Sequence, residues 1–340
     1  MNEARFKEIT DAYGELSVAV VGDFCLDRYL EIDPQHAEVS IETGLEVHNV
    51  TNVRSQPGGS GTILNNLIAL GCGQLFPVGF AGEDGEGYEL TRALGQAERV
   101  CMSHFFQTPE RRTFTYCKPL VLAKGESPRE LNRLDSKNWS PTPESVQARL
   151  ASSIASLAKE VDAIVVLEQV DQAETGVISG QVLSALGQAR VGRPEPLVLA
   201  DSRRGFEHFP DIGLKMNRDE FDAMIGGSVE QTAETLGREV ARLAAKRGQG
   251  VFVSLSEEGI VGALPGEEAQ YEPGFPCRGE IDIVGAGDAV MANLALALAA
   301  GANAGEAMRL AMAAGSVVIH QLGTTGVATS DDITSLLFRS

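Results

Sequence analysis

The sequence is short of positive charge. Lys and Arg total 28 against 47 Asp and Glu, a formal net charge of −19 over 340 residues. So acidic a surface repels nucleic acid and anionic membranes, which sets both aside as partners. Long apolar runs are missing too. None approaches the ~20 residues a helix needs to cross a bilayer, and the polar, charged stretch from Met1 to Gly14 does not read as a signal peptide. Cysteine is sparse: Cys25, Cys72, Cys101, Cys117 and Cys277 are odd in number and form no CxxC. That argues against a disulfide framework or structural zinc and for a reducing, cytoplasmic setting. The histidines, His36, His48, His104, His208 and His320, show no metal-ligand spacing. There is no GxxxxGK[ST], which excludes a P-loop protein.

What is present is an ordinary globular composition, 43% hydrophobic and 22% charged. Ser17 to Val21 is a β-branched run ending in Gly22 and Asp23, a buried parallel strand with its exit turn. Similar runs recur at 75–80, 163–167, 196–200, 214–216 and 251–255. Helical periodicity lies between them, at 61–70, 86–95, 143–159, 174–188 and 229–246. This rhythm predicts an α/β fold with a mainly parallel central sheet flanked by helices. Two polar, strand-like insertions, about 28–55 and 106–135, break it and are expected to pair as a small separate sheet covering a site. No linker divides the chain, so residues 1–340 are expected to form one domain. Two Ala-rich helices, 286–300 and 304–320, fill most of the C-terminal third.

The sharpest local signal is Gly285, Ala286, Gly287 and Asp288, between a strand-like run and an apolar helix. Small residues let the backbone approach a ligand, and the unpaired first amides of a helix make an anion site. Asp288 in that first turn is either a base able to take a proton from an attacking hydroxyl or an acid favoured by the helix dipole. The segment lacks the third glycine of a dinucleotide fingerprint and lies near the C-terminus, so a Rossmann dehydrogenase is excluded.

Residues 282–288 resemble the C-terminal signature of the ribokinase-like (PfkB) carbohydrate kinases. Pro57, Gly58 and Gly59 resemble the di-glycine motif of that family. Asn217 and Glu220 resemble its Asn-x-x-Glu motif, and 253–259 its nucleotide loop. The likeness covers nearly the whole chain. It is nearest to the bacterial heptose-phosphate kinase branch, through Arg133, Leu134 and Asp135, through 201–203, and through 322–327. The resemblance implies a three-layer α/β/α ribokinase-like fold with a β-sheet lid. It also implies a kinase that moves the γ-phosphate of ATP to a hydroxyl of a sugar or sugar phosphate, a heptose 7-phosphate among the candidates. Asp288 would be the base and the Gly285–Gly287 amides the anion hole. Asp23, Asp27, Gly58, Gly59, Asn66 and Arg133 would contact the sugar, and Arg112 and Lys118 are further candidate phosphate ligands. Asn217, Glu220, Ser254, Ser256, Glu257, Gly259 and Ala314 would contact ATP, with Asn217 and Glu220 holding Mg²⁺ through water. K⁺ is a further candidate cation, and a homodimer through the lid is expected. Three departures stand out: Ile283 replaces a Thr, Thr62 an Asn, and 168–172 lacks a basic, aromatic segment. They keep open a nucleoside or small-alcohol kinase, or a sensor that binds without catalysis.

Overall fold

The computed structural model describes residues 1–189, 195–227 and 233–339. A central sheet runs in the order Gln270–Pro273, Gly259–Ala263, Val251–Ser254, Gly213–Asn217, Leu197–Ser202, Ala163–Glu168, Ser17–Gly22, Gln74–Gly82, Phe105–Thr108. From Val251–Ser254 to Phe105–Thr108 the strands are parallel; Gly259–Ala263 and Gln270–Pro273 add on antiparallel. The apolar runs follow from burial on both faces. Val18 and Val20 enter one core while Ala19 and Val21 enter the other. Ser60–Ala69, Ala286–Ala299 and Ala304–Val318 pack into the first core. Glu144–Leu157, Gly180–Ala189 and Ala233–Arg247 pack into the second. Residues 229–232 of the expected 229–246 helix lie outside the described residues. Among the described residues no helix is long and apolar enough to cross a membrane.

A second sheet has the order Leu134–Ser136, Phe114–Val121, Phe24–Ile32, Val50–Gly59. Phe24–Ile32 leaves the central strand Ser17–Gly22 with only Asp23 between them, so the two sheets share a continuous chain. Residues 57–59, which carry the di-glycine motif, are the end of the strand Val50–Gly59. The strand Phe105–Thr108, expected within the second insertion, pairs instead with Gln74–Gly82 at the edge of the central sheet. Phe105, Phe106 and Thr108 are buried there, which the polar sequence around them hides. Trp139, the single tryptophan of the chain, stands exposed just after Leu134–Ser136.

Candidate functional site

Gly22, Glu168, Ser202, Asn217 and Ser254 close their strands at one edge of the central sheet. Open α/β sheets bind ligands at that carboxyl end. There the helix Ala286–Ala299 begins. Its cap, Gly285, has φ +84°, a left-handed conformation that glycine adopts without strain. Ala286 N–H donates to the Ile283 carbonyl at 3.2 Å, and the first intrahelical bond comes from Ala289 to Gly285 at 3.0 Å. The amides of Gly287 and Asp288 therefore have no carbonyl within the helix, and the dipole adds to their pull on an anion. Asp288 is half-buried in this turn. Burial first, then the nearby Asp201 charge, push its carboxyl up to about 7, while Lys215 and Arg203 pull the other way.

Sequence reasoning missed Lys215. It is buried in the strand Gly213–Asn217, and its Nζ meets Asp201 Oδ2 at 2.6 Å. A Cβ placed on Gly287 would lie 3.4 Å from that Nζ, so the ammonium stands beside the open turn. Desolvation works against the charged lysine, but Asp201, Asp288 and Glu220 outweigh it and raise its pKa. The available signal was a lone lysine inside a buried strand, where an unpaired ammonium is too costly to keep.

Asn217 and Glu220 form a capping box at the start of the helix Arg218–Ile225. The Asn217 side chain accepts from the Glu220 amide at 2.9 Å, and Glu220 Oε2 accepts from the Asn217 amide at 2.7 Å. The motif is thus a helix start; among the described residues, neither the Asn217 side-chain amide nor the second Glu220 oxygen has a hydrogen-bond partner. Both residues line the same cleft as Asp288.

That cleft has a volume of about 620 Å³. Its lining includes Asp201, Lys215, Asn217, Glu220 and the turn, together with Asp27, Tyr116, Lys118, Arg133, Lys137 and Arg203. Asp27 is buried and faces Lys118 Nζ at 3.6 Å; desolvation raises its pKa against that attraction. Arg133 pairs with Asp135 and lies over the Tyr116 ring, and Lys137 meets Asp171 at 2.7 Å. A second, mainly apolar cavity of about 280 Å³ adjoins the turn. Ser254, Ser256, Glu257, Phe275, Met312 and Gly315 are among its lining residues. Lys215, Ile283 and Gly287 border both cavities.

Several expected contacts sit elsewhere. Asp23 is buried, and its oxygens accept the amides of Gln169, Val170 and Val177 at 2.7–3.2 Å, so it ties the strand end to the following loop. Asn66 is also buried. It donates to the Thr62 carbonyl at 3.0 Å and accepts from the Ala328 amide at 3.4 Å, clamping the C-terminal segment; Thr62 lines the cleft instead. Gly58 lies beneath Asp27, where a Cβ would meet Oδ2 at 2.6 Å, and only Gly59 of the pair reaches the cleft. Gly259 packs against the strand Gln270–Pro273. Ala314 is on the wrong face of its helix: Met312, Gly315, Ser316 and Ile319 line the apolar cavity, while Ala314 is wholly buried in the core. Arg112 stays outside the cleft, near Asp84 and Glu86.

The arrangement can hold an anion at the helix start and accept a proton beside it. Among the described residues no three His, Cys, Asp or Glu converge as a metal cage. Mg²⁺ arriving with a nucleotide needs no such cage: it takes one or two carboxylates and keeps several waters. Glu220, which lines the cleft, fits that manner of binding, and Asp201 stands near it.

The family description "pfkB family carbohydrate kinase" matches residues 16–331. The bifunctional protein HldE of Trichlorobacter lovleyi is 28% identical over 328 residues, covering 94% of this chain and 63% of its own length. That of Shewanella sp. (strain MR-4) is 30% identical over 327 residues, with 96% and 64% covered. The chain thus spans under two thirds of these relatives. Among solved structures, Arabidopsis thaliana ribokinase complexed with ribose and ATP superposes with a TM-score of 0.65 at 20% identity, covering 96% of this chain and 99% of that one. Escherichia coli phosphofructokinase-2 in complex with substrates and products gives 0.69 at 17%, covering 94% and 98%. The fold is ribokinase-like, and by the extent of the family match the chain belongs to the pfkB family of carbohydrate kinases.

Proposed function

We propose that the chain transfers the γ-phosphate of ATP to a hydroxyl of a sugar or sugar phosphate held beneath the second sheet, which acts as a lid. The supporting observation is the position of Asp288 in the larger cleft, next to Gly287, which borders both cavities and lies beside the Lys215 ammonium. The base would be placed by geometry and tuned by burial, with a pKa near that of neutral solution. The adenine would lie in the apolar cavity, between Ser254–Glu257 and Met312–Ser316. Its phosphates would run past Lys215 to the Gly287 and Asp288 amides. The acceptor hydroxyl gives its proton to Asp288 while its oxygen bonds to the γ-phosphorus, and the bond to the bridging oxygen of ADP breaks. Mg²⁺ bound near Glu220 would neutralise phosphate charge. The turn amides and Lys215 meet the charge that develops in transfer.

The lining of the cleft favours an anionic acceptor. Lys118, Arg133, Lys137 and Arg203 are among its residues, on a chain of net charge −19. A heptose 7-phosphate is the leading candidate. Coupled ADP-release assays over heptose 7-phosphate, fructose 6-phosphate, ribose and adenosine test the reading. ATP binding by calorimetry without phosphorylation of any acceptor would replace the kinase by a binding protein. The lid also suits a homodimer: Val39, Ile41, Leu45 and Leu134 stand exposed on or beside it. Light scattering would show a mass of twice 36.1 kDa.

A further inference from the structure

The second sheet and the phosphate-binding turn are remote in sequence, yet a run of hydrogen bonds joins them. Gln56 lies directly opposite Asp27 in the antiparallel pairing of Phe24–Ile32 with Val50–Gly59, so the two side chains share a face. The Gln56 carboxamide holds the tail loop at two points. Nε2 donates to Thr325 Oγ1 at 2.6 Å, and Oε1 accepts from Thr324 Oγ1 at 3.1 Å. Thr325 lines the cleft, and a Cβ placed on Gly285 would lie 3.4 Å from its Cβ. In the same loop the Gly323 amide donates to Asp282 Oδ2 at 3.1 Å, while Asp282 Oδ1 accepts from the Val284 amide at 3.1 Å. Val284 is the residue before Gly285. The path therefore leads from the acid on the sugar side, through Gln56 and the tail loop, to the cap of the helix that carries Asp288.

The tail loop does not need Gln56 to stay in place. Gln321 Nε2 donates to the Val327 carbonyl at 2.8 Å and its Oε1 accepts from the Val327 amide at 3.1 Å. Asn66 holds Ala328 from the other side. Fixing a half-exposed glutamine by both ends also costs side-chain entropy. Such a contact is better suited to joining two moving parts than to supporting the fold. We propose that Gln56 is a positioning residue that couples the seating of the second sheet on the acceptor to the geometry of the phosphate-binding turn. This rests on the kinase reading of the cleft. Its consequence is that the turn at Gly285–Gly287 is restrained more tightly while the sheet is docked.

Gln56→Met keeps the length of the side chain and removes both bonds. Hydrogen exchange read by mass spectrometry, without ligand and with MgADP, reports on residues 282–288 directly. The bonded amides of this stretch, those of Asp282, Val284 and Ala286, are expected to exchange about tenfold faster in the variant, with the central strands unchanged. Gln56→Glu should restore slow exchange, because both threonine hydroxyls can donate to a carboxylate. Equal exchange at 282–288 in wild type and Gln56→Met overturns the coupling, whatever the substrate. In turnover with heptose 7-phosphate, fructose 6-phosphate or ribose, kcat should fall about tenfold to a hundredfold while KM for ATP holds, as for a misplacement remote from the chemistry. Adding Thr324→Val, which lies outside the cleft lining, should cost nothing more in kcat, since the Gln56 link is already cut; additive losses also overturn the proposal. If the wild type phosphorylates none of the three acceptors, the kinase reading fails, and the exchange result still decides the coupling.

Discussion

Replacing Asp288 by Asn should have two opposite effects. Turnover should fall by about a hundred- to ten-thousand-fold, the range a positioned base supplies. The folded protein should become more stable, but only toward high pH. Folding moves this carboxyl from 3.8 to about 7, chiefly through burial and the Asp201 charge. The native state then holds the proton more tightly than the unfolded chain, so stability declines as pH rises between those two values. Below about pH 4 there is no penalty; above about pH 7 it is complete. At ~1.36 kcal/mol per pKa unit the whole shift would be roughly 4 kcal/mol. Asp288 is half-buried at the cleft wall, where solvent screens its charge, so about 2 kcal/mol is the working figure. Asparagine carries no such burden. Urea denaturation should find Asp288→Asn more stable by about 2 kcal/mol at pH 8 and equal to wild type within a few tenths at pH 4. A thermal midpoint about 3 °C higher at pH 8 is the equivalent reading. Wild-type kcat/KM should climb with pH and level off above about 7. An equal stability gain at both pH values, or none at pH 8, would refute the assignment of a burdened carboxylate.

Lys215→Met removes a charge that holds the Asp288 pKa down, so the rise in kcat/KM should move to higher pH and KM for ATP should increase; an unmoved pH profile would show that Lys215 does not act on Asp288. Gly287→Val places a branched side chain toward the Lys215 ammonium and over the free amides. ATP binding measured by calorimetry should weaken by about a hundredfold with an unchanged circular dichroism spectrum, the loss expected for one or two anion-hole contacts. Asn66→Ala should lower stability by about 1–3 kcal/mol through the lost clamp on 326–328. The KM for the sugar should hold, whereas a direct sugar contact would raise it.

The alternation of strands and helices was legible because burial on both faces of the sheet leaves continuous apolar runs such as Val18–Val21. The helix start at Gly285–Gly287 was legible for a different reason: local backbone geometry favours glycine at a left-handed cap. What sequence could not resolve was depth. Asp23 and Asn66 are polar residues of the kind that contact sugars, and they sit close to Asp27 and Thr62, which do reach the cleft. Only the packing of the strand Phe24–Ile32 and the helix Ser60–Ala69 separates the buried pair from the exposed pair. Ala314 failed by helix phase, since two positions of rotation carry a residue from the cavity wall into the core. The strand Phe105–Thr108 failed by register, because edge pairing depends on a partner far along the chain. Lys215 depends on Asp201, fourteen residues earlier on the neighbouring strand, and no local pattern announces that pair.

Trp139 stands 74% exposed, and the segment before it is pinned on two sides. Lys137 meets Asp171 of the central body, and the Asn138 side chain exchanges two hydrogen bonds with the Arg112 backbone, at 2.9 and 3.0 Å. With one indole, the chain has one source of tryptophan fluorescence, and it lies beside the second sheet rather than in the core. At that exposure it should emit as a wet indole. A ligand that alters the packing around Asn138 and Arg112 would change its colour or intensity, with no tryptophan in the interior to dilute the signal. The indole would thus serve as an optical gauge of the proposed lid, readable in a stopped-flow instrument without a dye or an engineered label.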